Sequence, residues 1–212
     1  MPVDTLSLEG KIAIVTGSGR ENGIGAAIAT ALARNGAAVT INYVSEGSTS
    51  RAQNVAENIR NAGGKVTVIR ADVSDPEEAK RLVNETMKTF GTDHVDIIGK
   101  LRINICTRTL LTHELQVNNA GYGEFLGTLE SSKELVEKTF AVDVHGPIFL
   151  TQAAIPHIAT GGRIINISSV ASKLGLQYLP VYGAAKAAID SLTFAWAIEV
   201  SSTSLFGNAV LT

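Results

Sequence analysis

A single cysteine, Cys106, stands among 212 residues, so no intrachain disulfide can form and nothing in the chain asks for an oxidising compartment. Aromatic residues are scarce, at 5%. No uninterrupted apolar run reaches the roughly 18 residues of a membrane-crossing helix, and the start MPVDTLSLEGK lacks the charged region and apolar stretch of a signal peptide. A cytoplasmic protein with no membrane partner is the expectation. Neither sign of charge prevails: 18 basic against 20 acidic side chains give −2 and a pI near 6.1, which removes any bulk attraction to nucleic acid. His94, His113, His145 and His157 show no paired ligand spacing, so no metal is expected. What the chain does have is 20 glycines and 45% hydrophobic residues, enough to bury one core, and a single domain over 1–212 is the expectation.

Residues 11–16 (KIAIVT) form an apolar run without alternation, as a strand buried on both faces of a parallel sheet would. A glycine-rich turn follows, then a helix over 24–35 with Gly36 as its closing glycine. The series repeats with a strand at 39–43, a helix over about 48–62, a strand at 65–70 and a helix beginning near Ser74. There Ser74 and Glu77 read as a capping box around Pro76. A strand HVDII (94–98), a second capping box at Ser131 and Glu134, a long helix to about 159, a strand GRIINIS (162–168) and a helix from about 180 complete the order. Alternation of this kind predicts an α/β fold with a doubly wound parallel sheet, a Rossmann fold of three α/β/α layers.

In such a sheet ligands lie beyond the carboxyl ends of the strands, and the chemistry-bearing residues gather there. Gly17, Gly19, Gly23 and Gly25 fall between the first strand and its helix, where backbone can approach a pyrophosphate at a helix N-terminus; alone they read equally as a tight connection. Asp72 after the third strand either accepts from an adenine amino group or caps a turn. Asn118-Asn119-Ala120-Gly121 and Ser168-Ser169 follow two later strands. Tyr182 and Lys186, four apart, share one helix face.

Together these residues resemble the short-chain dehydrogenases/reductases of single-domain type, over about Leu8 to Glu199. The resemblance rests on TG…GIG at 16–25, Asp72-Val73, NNAG at 118–121, and Ser169 thirteen residues before the Tyr182…Lys186 motif. It implies an oxidoreductase moving a hydride between a nicotinamide dinucleotide and a carbonyl or alcohol, as in 3-oxoacyl-carrier-protein and related ketone reductases. The substrate partner would be a small molecule, and the complete fold would form a homo-oligomer. Tyr182 would donate and accept the proton, Lys186 would favour its phenolate, and Ser169 would hydrogen-bond the substrate oxygen. The cofactor-binding set implied comprises Gly17, Ser18, Arg20, Gly23, Ile24, Gly25, Asn42, Tyr43, Ser45, Asp72, Val73, Asn119, Ala120 and Gly121, with Tyr182 and Lys186. The end of the second strand, Asn42-Tyr43-Val44-Ser45, carries no carboxylate against a ribose 2′-phosphate, and Ser45, Arg20 and Arg51 are candidate donors, so NADP is favoured over NAD.

Three features depart from the family pattern. Five residues separate Gly17 from Gly23 where three are usual, and Asp143 joins the catalytic set in place of an asparagine, beside Lys186 whose charge it would offset. Residues 99–116 (GKLRINICTRTLLTHELQ) interrupt what the family reads as one central strand, and 200–212 match none of its closing segments, so the fold is expected to be C-terminally incomplete. Gly99-Lys100 and Val200-Ser201 can each be encoded by a splice-donor sequence, and excising the eighteen-residue insert in phase restores valine. Translated introns and a genuine insertion with a short terminus both stand as readings. Either would disturb the strand ladder, which predicts a loosely folded chain with near-background turnover. A non-catalytic or misfolded product, binding nucleotide or partner chains at most, is therefore the alternative to the enzyme.

Overall fold

The computed structural model describes residues 7–95, 116–158 and 162–201. Five strands, β1 (Ile12–Val15), β2 (Ala38–Tyr43), β3 (Lys65–Arg70), β4 (Gln116–Asn118) and β5 (Ile164–Asn166), form one sheet in the order β3-β2-β1-β4-β5, and every pairing is parallel. Helices α1 (Ile24–Arg34), α2 (Thr49–Asn61), α3 (Pro76–Phe90), α4 (Lys133–Phe140), α5 (Gly146–Ala154), α6 (Ala171–Leu174) and α7 (Pro180–Ser201) complete the described elements. The apolar residues of β1 and β2 leave no polar face for water, and each covers both sides. On one face Ala13, Val15, Val39 and Ile41 pack beneath Ala29 and Leu32 of α1 and Val55 and Ile59 of α2. On the other, Ile14 and Ile69 meet Leu82 and Val83 of α3 and Leu150 and Ala154 of α5. This is the three-layer Rossmann arrangement expected.

The helix boundaries differ from the sequence reading in instructive ways. Asp75, not Ser74, caps α3: its carboxylate accepts from the N–H groups of Glu77 and Glu78 at 2.8 and 3.0 Å. Pro76 forces extended backbone on the residue before it, the conformation of an N-cap, which hands the role to Asp75. Ser132 likewise takes the place expected of Ser131, accepting from Leu135 N–H, while Ser131 donates to the Gly127 carbonyl. The long helix to about 159 is broken into α4, a π-helical turn at Ala141–His145, α5 and a 3-10 turn at Ile155–His157. One wide turn thus interrupts the ladder where Asp143 sits.

Val95 bridges to Ile158, and its N–H donates to the His157 carbonyl at 2.9 Å; residues 96–98 of HVDII, Cys106 and most of the insert lie outside the described residues. Gln116, counted with the insert in the sequence, is instead the first residue of β4, paired with Ile14 on one side and Ile164 on the other. β4 is thus paired with β1 at 116–117 and with β5 at 116–118, and the stretch where the ladder was expected to be disturbed, 99–115, lies outside the described residues. A buried polar chain locks this half of the sheet to α7: the Asn118 amide donates to Asn166 at 2.7 Å, and the Asn166 amide donates to Thr193 at 2.8 Å. Replacing any member leaves a buried partner unpaired, at a cost of about 1–3 kcal/mol.

Candidate active site

The sheet changes winding direction between β1 and β4, and the carboxyl ends of these two strands are stitched together. Thr16 Oγ1 accepts from the N–H groups of Asn119 and Ala120 at 3.0 and 3.1 Å, and the Asn119 amide donates to the carbonyls of Thr16 and Gly17. Gly17 is left-handed at φ 61°, and a Cβ there would lie 2.8 Å from Ala120 Cα. A Cβ on Gly25 would fall 2.5 Å from the Asn119 amide nitrogen. These glycines are thus required by the approach of two backbones, independently of any ligand. Beside them α1 begins at Ile24 with no side-chain cap on its first N–H groups and no acidic residue in its first turn; Ile24 itself is exposed. An uncapped helix start of this kind suits an anionic phosphate.

Ser169 lies in the turn leaving β5, and Tyr182 and Lys186 occupy the first two turns of α7. The Ser169 hydroxyl accepts from Ala171 N–H at 3.2 Å, which occupies one of its two lone pairs and leaves its hydrogen untaken by any described residue. Lys186 is 4% exposed; its ammonium donates to the Ile167 carbonyl at 3.1 Å and stands 2.6 Å from Asp143 Oδ1. The other oxygen of Asp143 accepts from Tyr122 N–H at 2.8 Å. Burial pushes the Asp143 carboxyl above its ordinary range, against Lys186 and the Tyr122 hydrogen bond, which pull it down. The ammonium lies 5.5 Å from the centre of the Tyr182 ring. Gly121 and Gly123 make the close approaches possible: a Cβ on the first would lie 3.1 Å from Asp143 Oδ1, and on the second 2.9 Å from a Tyr182 ring carbon.

The remaining candidates divide by what their side chains already do. Ser18 is fully buried, donating to the Val15 carbonyl and accepting from Asn42 N–H. The Asn42 amide donates to the Ala71 and Ile69 carbonyls, joining β2 to β3, and the Tyr43 hydroxyl donates to Thr49. These three side chains serve the scaffold. Val73 is buried in the core against Gly146, and Ser45 precedes a short 3-10 turn. Asp72 Oδ1 accepts from both the N–H and the hydroxyl of Ser74, so it caps its turn as one of the two readings had it. Asp72 also lines an open cavity of about 440 Å³ with Val44, Arg70, Glu78 and Arg81. Arg20 is exposed, and Arg51 donates to Ser48. Sequence reasoning passed over Tyr122, Gly123 and Ile167, because a backbone donor, a missing Cβ and a backbone acceptor leave no mark in residue type.

The model of the short chain dehydrogenase family matches residues 11–211. An uncharacterized oxidoreductase of Methylorubrum extorquens is 38% identical over 203 residues, which cover 96% of this chain and 72% of that protein. Versicolorin reductase 1 of Aspergillus parasiticus is 36% identical over 208 residues, 98% of this chain and 70% of that one. Among solved structures, a short-chain dehydrogenase of Burkholderia cenocepacia in complex with NADP superimposes with a TM-score of 0.80 at 31% identity, over 96% of this chain and 73% of that one. The chain belongs to the short-chain dehydrogenase/reductase family, oxidoreductases that use a nicotinamide cofactor on small-molecule substrates. Among the described residues no helix is long and apolar enough to cross a membrane, and no cluster could hold a metal ion.

Proposed function

We propose that the chain catalyses reversible hydride transfer between NADP(H) and the carbonyl or alcohol carbon of a small molecule, with Tyr182 as proton donor and acceptor. The observation that carries this reading is the Lys186 ammonium, anchored by Ile167 and Asp143 and 5.5 Å from the Tyr182 ring centre, on the helix whose Gly183 packs against Ala171 beside Ser169. NADP(H), when bound, supplies or accepts the hydride. Ser169, whose oxygen is already engaged by Ala171 N–H, donates its free hydrogen to the substrate oxygen and stabilises charge developing there. Tyr182 Oη passes a proton to that oxygen in reduction and takes it back in oxidation. Lys186 holds a positive charge beside the phenol and has one further N–H for a ribose hydroxyl. Asp143 opposes that charge, and the pair as a whole is close to neutral.

Gly17, Arg20 and the first turn of α1 would hold the phosphates, and Asp72, with the cavity beside Val44, would receive the adenine. Preference for NADP is supported by the absence of a carboxylate on Asn42 to Ser45 and by the exposed Arg20. The carboxylate that follows, Glu46, is drawn 3.5 Å from Arg70. The paired β4 and the approach of Lys186 to Tyr182 favour this enzymatic reading over a misfolded product, and residues 1–212 are read as one catalytic domain. Initial rates on a panel of ketones with NADPH and NADH test it. The expected result is oxidation of NADPH at least about tenfold more efficient than of NADH, the size of about 1.4 kcal/mol. Preference for NADH would reject the cofactor assignment, and absence of both turnover and dinucleotide binding would reject the enzyme.

A further inference from the structure

Outside the residues with a place in this chemistry, one acidic side chain is buried on the reactive helix itself. Asp190 lies four residues after Lys186 and eight after Tyr182, hence on the same face of α7, and is 4% exposed. Two of its polar contacts reach across to α6. Ser172 Oγ stands 2.7 Å from Asp190 Oδ2, and the Lys173 ammonium stands 2.7 Å from the same oxygen. Ser172 Oγ also lies 2.8 Å from the Ser169 carbonyl oxygen, so its one hydrogen is shared between Ser169 and Asp190. Ser172 N–H donates to that same carbonyl at 3.0 Å.

The two helices touch where they carry least bulk. A Cβ on Gly183, the residue after Tyr182, would lie 2.8 Å from the Ala171 carbonyl oxygen. Close packing at Gly183 and the ionic contact at Asp190, two turns further on, fix α6 to α7 at two separate points. A helix of four residues has too few internal hydrogen bonds to hold its own position. Its placement, and with it that of the Ser169 turn immediately before it, depends on what it is fastened to.

We propose that Asp190 is a positioning residue: its carboxylate clasps Ser172 and Lys173 to α7 and so holds the Ser169 hydroxyl in register with Tyr182 and Lys186. The inference rests on the catalytic reading above for its consequence, and on the two contacts for its existence. Burial raises the Asp190 carboxyl, but hydrogen bonding with Lys173, Ser168 and Ser172 outweighs it and holds the group below its ordinary range, as an ionised clasp requires. Misplacement of a reacting group by about 1 Å costs on the order of 100-fold in rate, so a residue that never touches substrate can govern turnover.

The experiment compares the full chain with Asp190→Ala, Asp190→Asn, Ser172→Ala and the Ser172→Ala/Asp190→Ala double variant, by steady-state kinetics with NADPH and by amide hydrogen exchange. Asp190→Ala is expected to lower kcat by roughly 10- to 100-fold with the KM for NADPH within about twofold. Asp190→Asn, whose amide oxygen still accepts from Ser172, recovers most of that loss. The double variant loses no more than Asp190→Ala alone, because both changes open one clasp. Exchange in the peptide over 169–175 accelerates at least about tenfold in Asp190→Ala, while peptides from β1 to β3 are unchanged. Unchanged exchange at 169–175 would overturn the clasp whatever the activity. Faster exchange with unaltered kcat would overturn its role in positioning, and multiplied losses in the double variant would do the same. If Tyr182→Phe turns over like the parent, the catalytic reading fails, and the exchange result still decides the clasp.

Discussion

Lys186 and Asp143 stand 2.6 Å apart with almost no access to solvent, so the cation beside Tyr182 is opposed by a buried carboxylate. The charge felt at Tyr182 is therefore a balance of the two. Asparagine at 143 would keep an oxygen for Tyr122 N–H and remove the opposing charge. Asp143→Asn is expected to raise alcohol oxidation at pH 7 severalfold, since negative charge on the tyrosine oxygen is then favoured by an unopposed ammonium. An unchanged pH–rate profile would show that Asp143 does not act on Tyr182.

The same pair has a signature in stability. Because the folded carboxyl of Asp143 sits above its ordinary value, it binds its proton more tightly folded than unfolded. Its contribution is thus fully present below the unfolded value and is lost as pH rises through the folded one. Urea midpoints of the parent and Asp143→Asn, measured between pH 4 and pH 8, should diverge in favour of Asn as pH rises. A gap that moves the other way would mean that Lys186 dominates over burial.

Gly123 has no room for a side chain. A Cβ there would meet three atoms of Tyr182, ring carbons among them, at 2.9–3.1 Å. Gly123→Ala is expected to displace the ring and cut kcat by about tenfold or more, with dinucleotide binding intact. Fluorescence titration with NADPH beside the rate measurement separates the two, and loss of binding equal to loss of rate would contradict the account.

Gly17 differs because its obstruction is backbone. With φ at 61° and Ala120 Cα 2.8 Å from the missing Cβ, neither side can yield cheaply. Gly17→Ala is expected to cost about 1–3 kcal/mol of stability and to weaken NADPH binding. A thermal midpoint equal to the parent's would show that the β1 and β4 turns are less tightly joined than described.

The fold was legible because its signals are local and repeated: the unbroken apolar run of β1, and Gly36 closing α1, need no tertiary knowledge. The residues proposed as reactive were legible from spacing, since Ser169, Tyr182 and Lys186 sit at fixed offsets in a turn and the helix after it. Partners made across the fold were not. Asn42 and Ser18 occupy positions where a ligand-facing role was expected, yet their side chains bond inward, which depends on the distance to β3 and β1. Gln116 shares its polarity with the insert, and only its pairing with Ile14 and Ile164 marks it as strand. The π turn at Asp143 and the reach of Asp190 to α6 likewise follow from packing between elements far apart in the chain.

The most direct test of the central claim is the rate of NADPH-dependent ketone reduction by the purified chain beside Tyr182→Phe, with NADPH affinity measured on both. The account predicts that the phenylalanine variant binds NADPH as the parent does and loses about 100- to 10,000-fold in kcat, the size of a proton transfer that has lost its donor. Turnover above about a tenth of the parent rate would contradict Tyr182 as the proton donor.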